Sequence, residues 1–105
     1  MGKISWQNSA KSIKNLIRGL APKPGAYTFL KGKLIKIYRV RLNKETGILG
    51  KPGEIININK KHGTIEVATG SGSLEILELQ PAGKRKMLTE EFLRGYQVNV
   101  GETFD

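Results

Sequence analysis

Residues Lys11–Thr28, KSIKNLIRGLAPKPGAYT, constrain the fold more than any other stretch of the chain. An amphipathic helical period gives way here to a proline-locked turn, and the turn to an extended segment. Ala10, Ile13, Leu16, Ile17 and Leu20 fall on one helical stripe about 120° wide at 3.6 residues per turn. Lys11, Lys14 and Arg18 fall on a separate arc of about 60° by the same geometry. Asn8 or Ser9 can supply the side-chain oxygen that caps the first free amides. Pro22 and Pro24 prevent the helix from continuing, and Gly25 permits a tight turn. Lys23, between the two prolines, is held on a stiff extended loop at the helix end. A fold built on this segment buries one helix face against a sheet and leaves a basic ridge in water.

Downstream the apolar period changes from 3.6 to two. Ala26–Leu30 reads as a strand, Lys31-Gly32-Lys33 as its turn, and Leu34–Leu42 as a longer strand. Leu34, Ile35 and Ile37 occupy both faces, so the first half of the long strand is expected to be buried on both sides. In the second half Tyr38, Val40 and Leu42 alternate with Arg39 and Arg41, which predicts a half-buried strand with a basic outer face. Asn43–Gly53 is a loop. Glu54–Asn59 and Thr64–Ala68 form a hairpin around Lys60-Lys61-His62-Gly63. Gly70-Ser71-Gly72 turns the chain into a strand at Leu74–Gln80. Thr89, Glu90 and Glu91 open a short helix that stops at Gly95 and packs Phe92 and Leu93 on the rim. Gln97–Phe104 is expected to add an edge strand through Val98, Val100 and Phe104, and Trp6 to cap the core. Five or six short strands with one substantial helix predict a mainly β single domain over residues 1–105, a small closed or nearly closed barrel.

Charge is distributed unevenly along the chain. The net charge is +9, yet residues 1–44 carry +11 with no acid, and residues 45–105 carry −2. A field this one-sided points to a polyanion, with nucleic acid ahead of an anionic membrane. Lys11, Lys14 and Arg18 have no acid one turn away to pair with, so their mutual repulsion is relieved only by a partner. Lys23, Lys31, Lys33, Lys36, Arg39 and Arg41 belong to the same acid-free portion. A second basic run, Lys84, Arg85 and Lys86, is either a solvated loop or a further RNA contact.

Several chemistries are not expected. The absence of cysteine excludes disulfides and thiol chemistry, and with a single histidine a structural zinc site is not expected. His62 sits on a lysine-rich turn with no orienting partner, and no nucleophile–base or carboxylate pair stands out, so no catalytic residue is assigned. Gly47-x-x-Gly50-x-x-Gly53 is not framed by a strand and helix and is no dinucleotide fingerprint. No run approaches the ~20 apolar residues of a membrane span, and the N-terminus lacks the apolar stretch of a signal peptide. Seven aromatic residues do not make a base-stacking platform, so contact is expected through phosphates.

Four pieces of the chain carry a family resemblance. They are Ile4-x-Trp6 followed by Ala10, Ile13 and Asn15-x-Ile17-Arg18; Pro22-x-Pro24-Gly25-Ala26-Tyr27-Thr28; Pro52-Gly53-Glu54-Ile55; and Leu77-x-Leu79-Gln80-Pro81-Ala82-Gly83-Lys84, running on to Met87, Phe92, Leu93 and Gly95. In this order they resemble the C-terminal domain of methionyl-tRNA formyltransferases. The resemblance implies an open Greek-key barrel related to OB-folds, which helps hold initiator methionyl-tRNA by a positive face. It implies a catalytic N-terminal Rossmann-like formyltransferase domain as partner, where 10-formyltetrahydrofolate binds, and a cytoplasmic setting. The catalytic Asn, His and Asp of that domain have no counterpart here, so this stretch alone is expected to carry no cofactor and to be inactive. The family often has Asn and Trp where this chain has Ala21 and Lys23, and an acid in place of Ser5. Lys23 fits a phosphate contact.

Two other readings remain open at this point. Similar domains occur in 10-formyltetrahydrofolate dehydrogenases and sugar formyltransferases, where the barrel would have no nucleic-acid role. An unrelated basic RNA-binding barrel, such as a ribosome-associated module, fits the charge alone.

Overall fold

Ser9 starts the first regular element, α1 (Ala10–Leu20), by accepting the Ser12 amide on its Oγ at 3.2 Å. This satisfies one of the free donors of the first turn and is worth about 1 kcal/mol. The computed structural model describes residues 2–105. Ala10, Ile13 and Ile17 are buried, and each isoleucine contributes roughly 1.5–3 kcal/mol relative to an exposed position. The helix ends where donors run out. The Ala21 amide reaches the Ile17 carbonyl at 3.1 Å and the Gly25 amide the Leu20 carbonyl at 3.0 Å, while Pro22 and Pro24 have no amide to give.

Strand β1 (Ala26–Leu30) and strand β2 (Lys33–Lys44) form a hairpin joined by Lys31-Gly32. Both turn residues have positive φ, 53° and 77°, the geometry whose twist matches the flanking strands. The chain continues through β3 (Ile55–Asn59), β4 (Thr64–Ala68), β5 (Ser73–Pro81), β6 (Met87–Leu88) and α2 (Thr89–Gly95). Pairing is antiparallel in the order β1-β2-β5-β4-β3, with β6 beside the end of β5. Because β2 lies against β5 and not β3, the sheet has the Greek-key crossover of an open OB-like barrel. Helix α2 opens at Thr89 as expected, with Glu90 and Glu91 in its first turn. Leu88 precedes it and offers no side-chain cap, and the buried Thr89 hydroxyl has no partner among the described residues.

Paired irregularities reset which residues face inward. Ile37 pairs with Leu79, Arg39 with Glu78 and Val40 with Ile76, which leaves Tyr38 extra on β2 and Leu77 extra on β5. Each bulge reverses the alternation of its strand. Before it Ile35 and Ile37 are buried; beyond it Val40 and Leu42 pack against the core and Arg39 and Arg41 are exposed. Tyr38 therefore does not share a face with Val40 and Leu42 as the plain alternation predicted. Its hydroxyl donates to Gln80 Oε1 at 2.9 Å on the outer face. Leu34 is half-buried there, so the first half of β2 is covered on both sides, though unequally.

The C-terminal tail is a seam and not the predicted edge strand. Phe104 bridges to Leu30 of β1, and Thr103 to Glu54 at the start of β3. The Phe104 amide bonds the Gly53 carbonyl, the Asp105 amide the Phe29 carbonyl, and the Ile55 amide the Glu102 carbonyl, each at 2.8 Å. The tail thus spans the gap between the two end strands of the open sheet. Val100 stays exposed, whereas Phe104 is buried 5.6 Å from the Trp6 ring. Trp6, buried as expected, donates its Nε1 proton to Thr28 Oγ1 at 2.9 Å, and that hydroxyl donates to the Asp105 carbonyl.

Glu102 fixes the seam's approach. It accepts the Asn99 amide at 3.0 Å and faces the Lys31 ammonium at 2.9 Å. First the Asn99 amide and then Lys31 hold its carboxyl below the usual carboxylate range. A depressed carboxylate stabilises the fold above its unfolded pKa, and that contribution is lost as pH falls through the lowered folded value. Glu102→Gln should therefore lower the thermal midpoint at neutral pH, with the two proteins converging in acid. Melting curves between about pH 2 and pH 7 check this; a constant gap would refute it.

Candidate nucleic-acid interface

The twelve cations singled out from the sequence separate into two groups once the fold is known. Arg39 stands 3.9 Å from Glu78, and Arg41 2.6 Å from Glu75, both across the β2–β5 ladder. Lys31 is held by Glu102 and by the Gln97 carbonyl at 3.1 Å, and Arg85 by Glu91. Exposed pairs of this kind add at most about 1 kcal/mol of stability, but they cancel local charge. The outer face of the second half of β2 is consequently a ladder of ion pairs, not the basic face its alternation predicted.

The other eight cations have no carboxylate within 4.0 Å among the described residues: Lys11, Lys14, Arg18, Lys23, Lys33, Lys36, Lys84 and Lys86. Lys11 and Arg18 are exposed on α1 and Lys14 is half-buried beside them. No acid occupies the first turn, and Arg18 lies in the last, where the helix carbonyls favour a cation. Lys23 is exposed on the loop that leaves the helix.

Tyr38 joins that loop to the sheet. Its ring lies against Gly25, where a Cβ would fall 3.1 Å from it. Lys86 Nζ stands 4.8 Å from the centroid of the same ring, a distance at which a cation is attracted to the π face. Gln80, which accepts the Tyr38 proton, donates to the Lys84 carbonyl at 2.8 Å and is in register with Lys36, itself in register with Tyr27. The loop holding Lys23, the strand position of Lys36 and the run Lys84–Lys86 therefore meet on one outer face. Lys60 and Lys61 lie elsewhere, on the β3–β4 turn against which Glu90 of α2 packs at Gly63.

Tyr38 and Gln80 are the organising residues that sequence reasoning missed. The signal was present in two apolar alternations of opposite phase within one strand, Ile35/Ile37 and Val40/Leu42, which require an extra residue between them. His62 is exposed, and its amide donates to Asn59 Oδ1 at 3.0 Å. No helix among the described residues is long and apolar enough to cross a membrane.

Comparison with known proteins bears on this arrangement. Residues 1–97 match the family described as formyl transferase, C-terminal domain. The methionyl-tRNA formyltransferase of Carboxydothermus hydrogenoformans is 52% identical over 102 residues, covering 97% of this chain and 32% of that protein. That of Geotalea daltonii is 43% identical over 100 residues, covering 95% of this chain and 30% of that protein. The chain spans about a third of the length of these curated relatives. The crystal structure of HypX from Aquifex aeolicus in complex with tetrahydrofolic acid superposes with a TM-score of 0.70 at 19% identity, covering 98% of this chain and 20% of that one. This last likeness concerns the fold alone. An unrelated RNA-binding barrel does not explain identity of this extent. The match over residues 1–97 and the relatives at 43–52% identity make this chain a member of the formyl transferase C-terminal domain family.

Proposed function

We propose that this domain holds initiator methionyl-tRNA for a methionyl-tRNA formyltransferase, through phosphate contacts made by its unpaired cations. The carrying observation concerns the eight, of the twelve cations singled out from the sequence, that have no carboxylate partner. They sit on α1, on the loop that follows it, on the first half of β2 and on the Lys84–Lys86 loop that the Tyr38–Gln80 contacts bring beside Lys36. The names of the curated relatives support the choice of tRNA over another polyanion. In this reading a separate N-terminal formyltransferase domain binds 10-formyltetrahydrofolate and transfers the formyl group in the cytoplasm. The domain described here contributes binding and orientation and no reacting group.

Phosphate-dominated binding has a characteristic salt dependence. Each duplex phosphate neutralised releases counterions, so log K should fall against log salt with a slope of about −0.9 per contact, and less steeply on single strands. Titration of initiator tRNA at several salt concentrations measures the slope. Eight cations set an upper bound of roughly −7, and a slope between about −3 and that bound is expected. Absence of binding at low salt would overturn the proposal and leave the barrel as a packing module of a related formyl-group enzyme.

A further inference from the structure

Between the tip of the β1–β2 hairpin and α2 lies a cavity of about 450 Å³, within the size range of small-ligand sites. Its walls are apolar, formed by Leu30, Leu34, Pro81, Phe92, Tyr96 and Val98. The Phe92 and Tyr96 rings stack at 4.6 Å with planes 14° apart, and Tyr96 is 37% exposed. Lys31, Lys33 and Lys84 also line the cavity. Lys31 is engaged by Glu102 and the Gln97 carbonyl, which ties the wall together. Lys33 and Lys84 have no carboxylate within 4.0 Å among the described residues. The site thus combines an apolar slot, an exposed ring already in a parallel stack, and two uncompensated ammonium groups.

We infer that this cavity takes one unpaired nucleotide of RNA, its base added to the Tyr96 ring and its flanking phosphates held by Lys33 and Lys84. Charge complementarity selects the occupant. A planar base extends a parallel aromatic stack and every base has a π face. The two cations match the phosphates that flank the base, whereas an apolar peptide would leave both without a counter-charge. A base-paired nucleotide keeps its faces within the helix, so the slot selects unstacked positions such as loops and ends. The inference rests on the tRNA-binding reading and deepens it, adding one base contact to a phosphate-binding face.

The test follows backbone amide resonances during titration with three probes: a single-stranded RNA hexamer, a fully paired RNA duplex and inorganic phosphate. The hexamer should shift Leu34, Ala82, Tyr96 and Val98, and phosphate alone should not reproduce the pattern. Tyr96→Ala should weaken hexamer binding about tenfold and leave duplex binding unchanged, while Tyr96→Phe retains affinity. Lys33→Glu combined with Lys84→Glu should weaken hexamer binding independently of the aromatic residue. Hexamer shifts confined to α1, or equal losses for hexamer and duplex in Tyr96→Ala, would overturn the inference. Shifts identical with phosphate would reduce the cavity to an anion site. Intact initiator tRNA binding without cavity shifts refutes this inference alone. Cavity shifts with the hexamer but no tRNA binding refute the tRNA reading alone.

Discussion

Replacing Phe104 with alanine is expected to remove about 3–5 kcal/mol of stability, a large share of the ~5–15 kcal/mol typical of a folded domain. The side chain is buried beside Trp6, and its backbone joins β1 to the segment that opens β3. Truncation leaves a cavity where the sheet is not closed by a regular ladder. Gly53→Ala should strain the same seam from the opposite side. Gly53 has φ +91°, and a Cβ there would lie 2.3 Å from the Phe104 carbonyl oxygen, which a side chain tolerates only if the seam moves. Urea unfolding should show a lower midpoint for both variants. A loss below about 1 kcal/mol for Phe104→Ala, well under the cost usual for a buried phenylalanine, would show that the tail does not close the barrel.

The second large effect is on binding. Charge reversal of Lys14 and Arg18 together should weaken initiator tRNA binding about 10–100-fold at moderate salt and reduce the salt slope by about two. Reversal of Lys60 and Lys61 changes net charge by the same amount, yet it should weaken binding less than about threefold, as expected of long-range charge alone. These lysines lie on the β3–β4 turn, whereas α1, which carries Lys14 and Arg18, packs on β2, β1 and β5. Thermal melts of both double variants confirm that each is folded. Equal losses would mean that tRNA responds only to total charge, and the proposed interface would fail.

How much of this was legible beforehand depended on the range of the interactions. The helix from Ala10 to Leu20 and the strands Ala26–Leu30 and Thr64–Ala68 follow from local periodicity and turn chemistry, and they stand as expected. The plain alternation misplaces Tyr38 because Leu34 beside Ile35 and Ile37 reads as burial on both faces. This masks the change of phase at Val40 and Leu42, where one extra residue on β2 is offset by Leu77 on β5. The charge reading suffered in the same way. Counting along the chain separates Arg39, Arg41 and Lys31 from Glu78, Glu75 and Glu102, but strand pairing and the seam bring them together. Half-chain totals therefore overstated the free charge on β2. They remained sound for Lys11, Lys14 and Arg18, because no carboxylate lies within 4.0 Å of that helix ridge among the described residues.

The seam also governs the order of events in folding. Its hydrogen bonds link Asp105 with Phe29 and Phe104 with Gly53, and the buried relay runs from Trp6 through Thr28 to Asp105. Contacts of such long sequence separation raise contact order and slow folding, because loop entropy is lost before they form. During synthesis from the N-terminus, α1 and the β1–β2 hairpin can assemble early, but the barrel cannot close until Phe104 has left the ribosome. Until then the outer edges of β1 and β3 lack their tail partner, and a nascent domain is open to strand pairing with another chain at those edges.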